Sequence, residues 1–81
     1  MSVPTAKWIE FKRREDLERG RTTQVWVVTP KASDAVLGHV AWYGKFRSYS
    51  FYPEADTVYE PRCMNDIAAF IRWLMDARRA G

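Results

Sequence analysis

The period of the apolar positions changes once along this chain, after Tyr59, and the change separates a strand-rich part from a helix. Trp8 to Lys12 alternates, with Ile9 and Phe11 on the side opposite Trp8, Glu10 and Lys12. A period of two over a short run predicts a half-buried strand, and the charged Arg13, Arg14 and Glu15 that follow suit a sheet edge. Residues 13 to 21 interleave arginines with acids. They read as a solvated turn bending at Gly20 or, alternatively, as a short helical turn through Leu17. Thr22 to Thr29 is rich in β-branched and aromatic residues and stops at Pro30, which cannot donate to a ladder. Val25 and Val27 point one way, Gln24, Trp26 and Val28 the other. Apolar residues on both faces predict a central strand.

Lys31 to Asp34 reads as a polar loop and Val36 to Tyr43 as the next strand. On it Val36, Gly38, Val40 and Trp42 share one face, and Leu37, His39, Ala41 and Tyr43 the other. Gly44 to Arg47 supplies a hairpin turn of about four residues, a common length. Ser48 to Tyr52 follows, with Tyr49 and Phe51 opposite Ser48, Ser50 and Tyr52, and Pro53 ends it. Beyond the loop Glu54–Tyr59, Cys63, Ile67, Phe70, Ile71 and Leu74 recur at the spacing of one helical stripe, while Asn65, Ala69, Arg72, Asp76 and Arg79 form the wetter side. Pro61 suits a first helical turn, Asn65 or Asp66 the positive helix start, and Arg78 and Arg79 the negative end before Gly81. The predicted architecture is α+β: an antiparallel meander of three to four strands within residues 7–53, packed on one face by a single C-terminal helix over residues 61–79. Residues 1–6 read as a loose end of one domain spanning 1–81.

One helix covers one face of a sheet, so the other face must be solvated or bound to something. If the helix lies on the valine side of Thr22–Thr29, Trp26 remains on the open face. An exposed apolar patch of more than a few hundred Å² there would mark a partner site or a homodimer interface.

Composition narrows the setting. A chain of 81 residues buries only about 60% of the surface its unfolded form exposes. Its many rings offset this, since each buries roughly 150–250 Å². The single cysteine excludes an intramolecular disulfide and fits a reducing cytoplasm. Residues 1–6 show no secretory pattern, and no apolar run approaches the roughly 20 residues that cross a membrane. A net charge of +3 permits nucleic-acid contact and argues against an acidic nucleic-acid mimic.

Catalytic readings find little support. A Cys–His pair would require His39 and Cys63 in contact and a third group orienting the imidazole. Cys63 falls on the apolar stripe, where cysteine behaves as a small hydrophobe, and His39 reads as an ordinary strand residue. Two nitrogen or sulfur ligands are too few for structural zinc. The glycines are scattered rather than gathered in a phosphate loop, and Glu54, Asp56 and Glu60 read as a solvated loop. No enzyme, cofactor or metal is expected.

Half of the chain's aromatic rings fall between Trp42 and Pro53. Lys45 and Arg47 among Trp42, Tyr43, Phe46, Tyr49 and Tyr52 match the composition of single-stranded nucleic-acid surfaces, where bases stack on rings beside a basic groove. Arg47 between two rings could equally be a cation–π clamp on the hairpin. Tyr, Trp and Arg are also the residues most enriched in protein-interface hot spots. The candidate binding residues are Trp42, Lys45, Phe46, Arg47, Tyr49 and Trp26.

The run Leu37-Gly38-His39-Val40-Ala41-Trp42-Tyr43-Gly44-Lys45-Phe46-Arg47-Ser48-Tyr49-Ser50-Phe51-Tyr52-Pro53 resembles a pattern recurring in small phage and prophage proteins: Leu-Gly, Trp-Tyr, a short turn, an aromatic–Arg pair, then Tyr-x-Phe-x-Pro. The resemblance continues through Thr57-Val58-Tyr59 and Cys63 to Asp66-Ile67-Ala68-Ala69-Phe70, covering about residues 22–74. Phe46 stands where tryptophan is more usual and Tyr52 where a second phenylalanine is frequent. No activity comes with the resemblance, so no residue role is transferred. It implies a mobile-element accessory protein, and such proteins often bind and block host machinery, CRISPR defences included. The expected partner is a host protein or ribonucleoprotein, with direct single-stranded nucleic-acid binding as the alternative.

Overall fold

The computed structural model describes residues 3–80. Four strands run in the order β1 (Ile9–Arg13), β2 (Trp26–Pro30), β3 (Gly38–Tyr43) and β4 (Ser48–Pro53), followed by helix α1 (Pro61–Ala80). Chain order is also spatial order, and every neighbouring pair is antiparallel. The fold is the expected α+β meander with one C-terminal helix. A single 3₁₀ turn, Glu15–Glu18, occupies the charged segment between β1 and β2, which decides for the helical turn through Leu17.

Strand alternation sorts the side chains. Ile9, Phe11, Trp26, Val28, Val40, Tyr49 and Phe51 face α1, which lays Ile67, Phe70 and Leu74 across them. Phe70 is fully buried; it stacks on Phe11 with ring centroids 4.0 Å apart and meets the Trp26 edge at 5.0 Å. Trp73, outside the predicted stripe, also turns inward against Trp26 and Phe70. It lies one turn beyond Phe70, so the apolar face on a broad sheet is wider than a narrow stripe. Glu60 starts the helix: its carboxylate accepts the Cys63 N–H at 2.8 Å, with Pro61 in the first turn where its missing N–H costs nothing.

Three expectations are corrected. Trp26, a candidate binding residue, is buried: of the two faces of β2 that the sequence left open, the helix covers the Trp26 side, and Val27 faces away. Residues 1–6 are not loose throughout, because Ala6 is buried in the core and Val3 packs against it. Two predicted strands begin late. Leu37 donates its N–H to Val28, but Val36 is an exposed loop residue. On β2, Gln24 and Val25 leave the β2–β3 pairing, their N–H groups going to the Tyr49 hydroxyl and the Glu18 carboxylate.

Glu18 therefore ties the β1–β2 connection at two points. Arg13 donates to both its oxygens at 2.9 Å, and Val25 N–H donates to one of them. The Arg13 hydrogen bond holds the Glu18 carboxyl below the usual glutamate range. A carboxyl lowered on folding stabilises above its unfolded pKa, and that contribution disappears as pH falls through the folded value. Glu18→Gln should accordingly lower the melting temperature by a few degrees at pH 7, and the gap to the wild type should close under acid conditions. A gap unchanged at low pH would show that the charge is not what ties the corner.

Candidate binding surface at the hairpin end

The β3–β4 turn spans Gly44–Arg47. Phe46 N–H donates to the Tyr43 carbonyl and Arg47 N–H to the Gly44 carbonyl, both at 3.2 Å. Arg47 closes the turn in the left-handed region, φ 50°, a conformation that costs an ordinary L-residue about 1–2 kcal/mol. Glycine would fill that position without strain. The turn leaves Phe46 71% exposed.

Phe46 begins a row of rings. It meets Tyr43 edge-on at 4.8 Å, Tyr43 meets Tyr52 at 6.3 Å, and Tyr52 stacks flat on His39 at 4.7 Å. Tyr43 and His39 on β3 and Tyr52 on β4 all point to the face away from α1. Their neighbours on that face are small: Ser48 opposes Tyr43 and Ser50 opposes Ala41. The rings therefore stand above a floor of short side chains. The other half of this face is closed in. Val27 and Thr29 are buried between Glu10 and Lys12 of β1 and His39 of β3, and Lys12 reaches Asp34 of the β2–β3 loop at 4.0 Å.

On the other side of the turn a cleft of about 510 Å³ opens between Phe46 and Arg47 and the last turns of α1, where Arg72, Asp76 and Arg79 line it. Asp76 holds Arg79 at 3.6 Å. Charge is unevenly spread over the molecule. At the β1–β2 corner Arg13 and Arg14 are matched by Glu18 and Asp16. At the hairpin end, among the described residues, Lys45, Arg47, Arg72 and Arg78 have no carboxylate within 4.0 Å. A helix C-terminus carries the equivalent of about −0.5 charge, which offsets only part of this cluster. A second cleft, about 420 Å³, lies between β4 and α1 and is lined mainly by apolar side chains such as Phe51, Tyr59, Met64 and Ile71.

The six sequence candidates separate. Phe46, Lys45 and Arg47 are exposed on the turn. Trp42 is half-buried on the helix side, edge-on to Tyr49 at 5.4 Å, with the Arg78 guanidinium 4.3 Å over its ring. The cation–π clamp expected of Arg47 thus exists, but Arg78 makes it and ties the helix end to the hairpin. Tyr49 is 5% exposed and its hydroxyl accepts the Gln24 N–H at 3.1 Å. Tyr49 and Trp26 are core residues, and neither is a contact surface. The residues that sequence reasoning missed are His39, Arg72 and Arg79, while Tyr43 and Tyr52 count among the basic-aromatic rings but not among the six candidates. Strand alternation groups His39 and Tyr43 opposite Val40 and Trp42, and Tyr52 opposite Tyr49 and Phe51, and Arg72 and Arg79 share the wetter helix stripe.

His39 and Cys63 are not brought together. His39 lies on the open face, whereas Cys63 sits on α1 against the core on the opposite side of the sheet. Burial, reinforced by the Glu60 carboxylate, pushes the Cys63 thiol above the ordinary cysteine range. Alkylation of the folded protein should therefore be slower than that of free cysteine at pH 7 and should rise only at more alkaline pH, since the thiolate is the nucleophile. Rapid alkylation at pH 7 would contradict this. Among the described residues, no group of three or more His, Cys, Asp or Glu side chains is placed to hold a metal ion, and no helix is long and apolar enough to cross a membrane.

No family model and no solved structure matches the chain. Over 79 residues, 98% of its length and 99% of the relative's, it is 28% identical to an uncharacterised 9.3 kDa protein of Acholeplasma phage L2. The chain is thus similar, nearly end to end, to a small protein encoded by a phage.

Proposed function

We propose that this chain is a non-enzymatic binding protein of phage type that engages a host protein or ribonucleoprotein through the hairpin end and the open half of its sheet. The observation that carries the reading is the row Phe46–Tyr43–Tyr52–His39, with Phe46 exposed and the other three rings half-buried on the open face beside unpaired cations. Buried aromatic anchors with arginine at their edge make the strongest contacts in protein interfaces, and rings left at a surface become such anchors when a partner covers them. The position of His39 and Cys63 on opposite sides of the sheet supports a role without covalent chemistry. Similarity to a phage protein favours host machinery as the partner, and an anti-defence inhibitor such as an anti-CRISPR protein is the sharpest form of this reading.

Affinity capture from a bacterial host lysate tests it, with the wild type and the Tyr43→Ser/Phe46→Ser variant as paired baits. The expected result is a host component retained by the wild type and lost by the variant, with similar melting temperatures for both baits. Retention of nothing above background, or equal retention by both, overturns the reading.

A further inference from the structure

We propose that the cleft between the β3–β4 turn and the end of α1 holds the phosphodiester backbone of a single-stranded nucleic acid, whose bases stack on Phe46 and Tyr43. The inference deepens the binding reading and rests on it, because it names the chemistry that the hairpin end recognises. Three arginines from two elements converge on the cleft, Arg47 from the turn and Arg72 and Arg79 from the helix, against one aspartate. Asp76 is already engaged with Arg79, so Arg47 and Arg72 keep their charge for a ligand. Guanidinium groups suit phosphate because their planar fork offers two parallel donors.

Phe46 joins the two halves of the site. It lines the arginine cleft on one side and touches Tyr43 on the other. A strand whose phosphates lie in the cleft therefore passes directly onto rings. Tyr52, locked flat against His39, supports Tyr43 from behind. Duplex DNA would not use this arrangement, since its bases are already stacked on one another, whereas an unpaired base gains a ring to stack on. A protein partner could also cover the rings, but a single strand uses both features through one repeating unit, its phosphates in the arginine cleft and its bases on the adjoining rings.

Fluorescence anisotropy of the purified protein with labelled oligo-dT and oligo-rU of about 20 nucleotides tests the proposal, with the matching duplex and heparin as further probes. Single-strand binding should weaken with salt at a slope of about −0.7 for each phosphate neutralised. The two free arginines, Arg47 and Arg72, give a slope of about −1.4 and about sevenfold weaker binding at 200 mM than at 50 mM salt. Arg47→Gly/Arg72→Gln should weaken binding at least tenfold and flatten the slope. Because glycine relieves the left-handed turn position, the fold should be retained, which a thermal melt checks. Phe46→Ala should weaken binding roughly tenfold with an unchanged slope, as expected for lost stacking.

Tighter rU than dT binding would identify RNA as the ligand and the reverse DNA; either supports the proposal. No single-strand binding at 50 mM salt overturns it, as does binding that the arginine variant leaves unchanged. Equal affinity for heparin that Phe46→Ala does not alter also overturns it, showing a general polyanion patch. If oligonucleotides fail to bind while the arginine variant loses its captured host component, the cleft recognises an acidic protein surface; the proposal falls and the binding reading stands.

Discussion

Phe70→Ala should cost the protein a large part of its stability and lower its melting temperature by more than about 10 °C. Phe70 is fully buried at the centre of the interface between helix and sheet, stacked on Phe11, edge-on to Trp26 and beside Trp73. Truncating a buried phenylalanine costs about 3–5 kcal/mol, part lost transfer free energy and part the cavity left behind. The rings around it are rigid and held by one another, so the hole cannot collapse cheaply. A domain of this length has a total stability of roughly 4–12 kcal/mol, from about 0.05–0.15 kcal/mol per residue. The substitution therefore removes about a quarter of it or more. At about 4–8 °C per kcal/mol for a small domain, a thermal melt followed by circular dichroism should move down by roughly 12–40 °C. Phe70→Leu, which keeps most of the volume, should cost much less. A shift under about 5 °C for alanine would mean that α1 does not dock through this residue.

Gly38→Ala should destabilise by about 1–3 kcal/mol, the usual cost of overpacking, although it adds a single methyl group. Gly38 lies on β3 opposite Pro53, and the Phe51 ring crosses directly over it. A Cβ built there would sit 2.5 Å from the Tyr52 carbonyl oxygen and 2.7 Å from two atoms of the Phe51 ring. The ring could turn aside, but the Tyr52 carbonyl is backbone of the paired strand and can yield only by distorting β4. That distortion would also shift Tyr52, the ring that backs Tyr43 on the open face. Urea denaturation should show a lower midpoint for Gly38→Ala. Gly44→Ala is the control: a Cβ at Gly44 meets nothing within 4 Å, so its midpoint should hardly move. Equal midpoints for the two variants would contradict the close approach at Gly38.

The architecture was largely legible because local pattern and tertiary packing agree in most of the chain. Ile9 and Phe11, Tyr49 and Phe51, and the stripe Ile67, Phe70 and Leu74 all face the core as their periods require. What the sequence did not settle was the face that α1 would choose. Both sides of β2 are apolar, and only packing against Phe11 and Phe70 places Trp26 inward and Val27 outward. The candidate site was half legible for the same reason. Lys45, Phe46 and Arg47 had to be exposed, being the tip of a four-residue turn. Trp42 and Tyr49 belonged to the same aromatic run by composition, yet alternation sends them under the helix. Tyr43, Tyr52 and His39, at odd offsets from them on the same two strands, carry the open face. Arg72 and Arg79 could not be joined to the turn from sequence alone. Their approach depends on how far α1 extends over the sheet, which the Arg78–Trp42 contact fixes.

The central claim is that partners meet this molecule at the hairpin tip, and site-specific photocrosslinking addresses it most directly. A benzoylphenylalanine placed at Phe46 should crosslink to a host component in cell lysate. The same photoreactive residue at Val58, which is 91% exposed but lies in the loop after β4, should not. Crosslinking from Val58 with none from Phe46 would contradict the account and move the binding surface to the opposite end of β4.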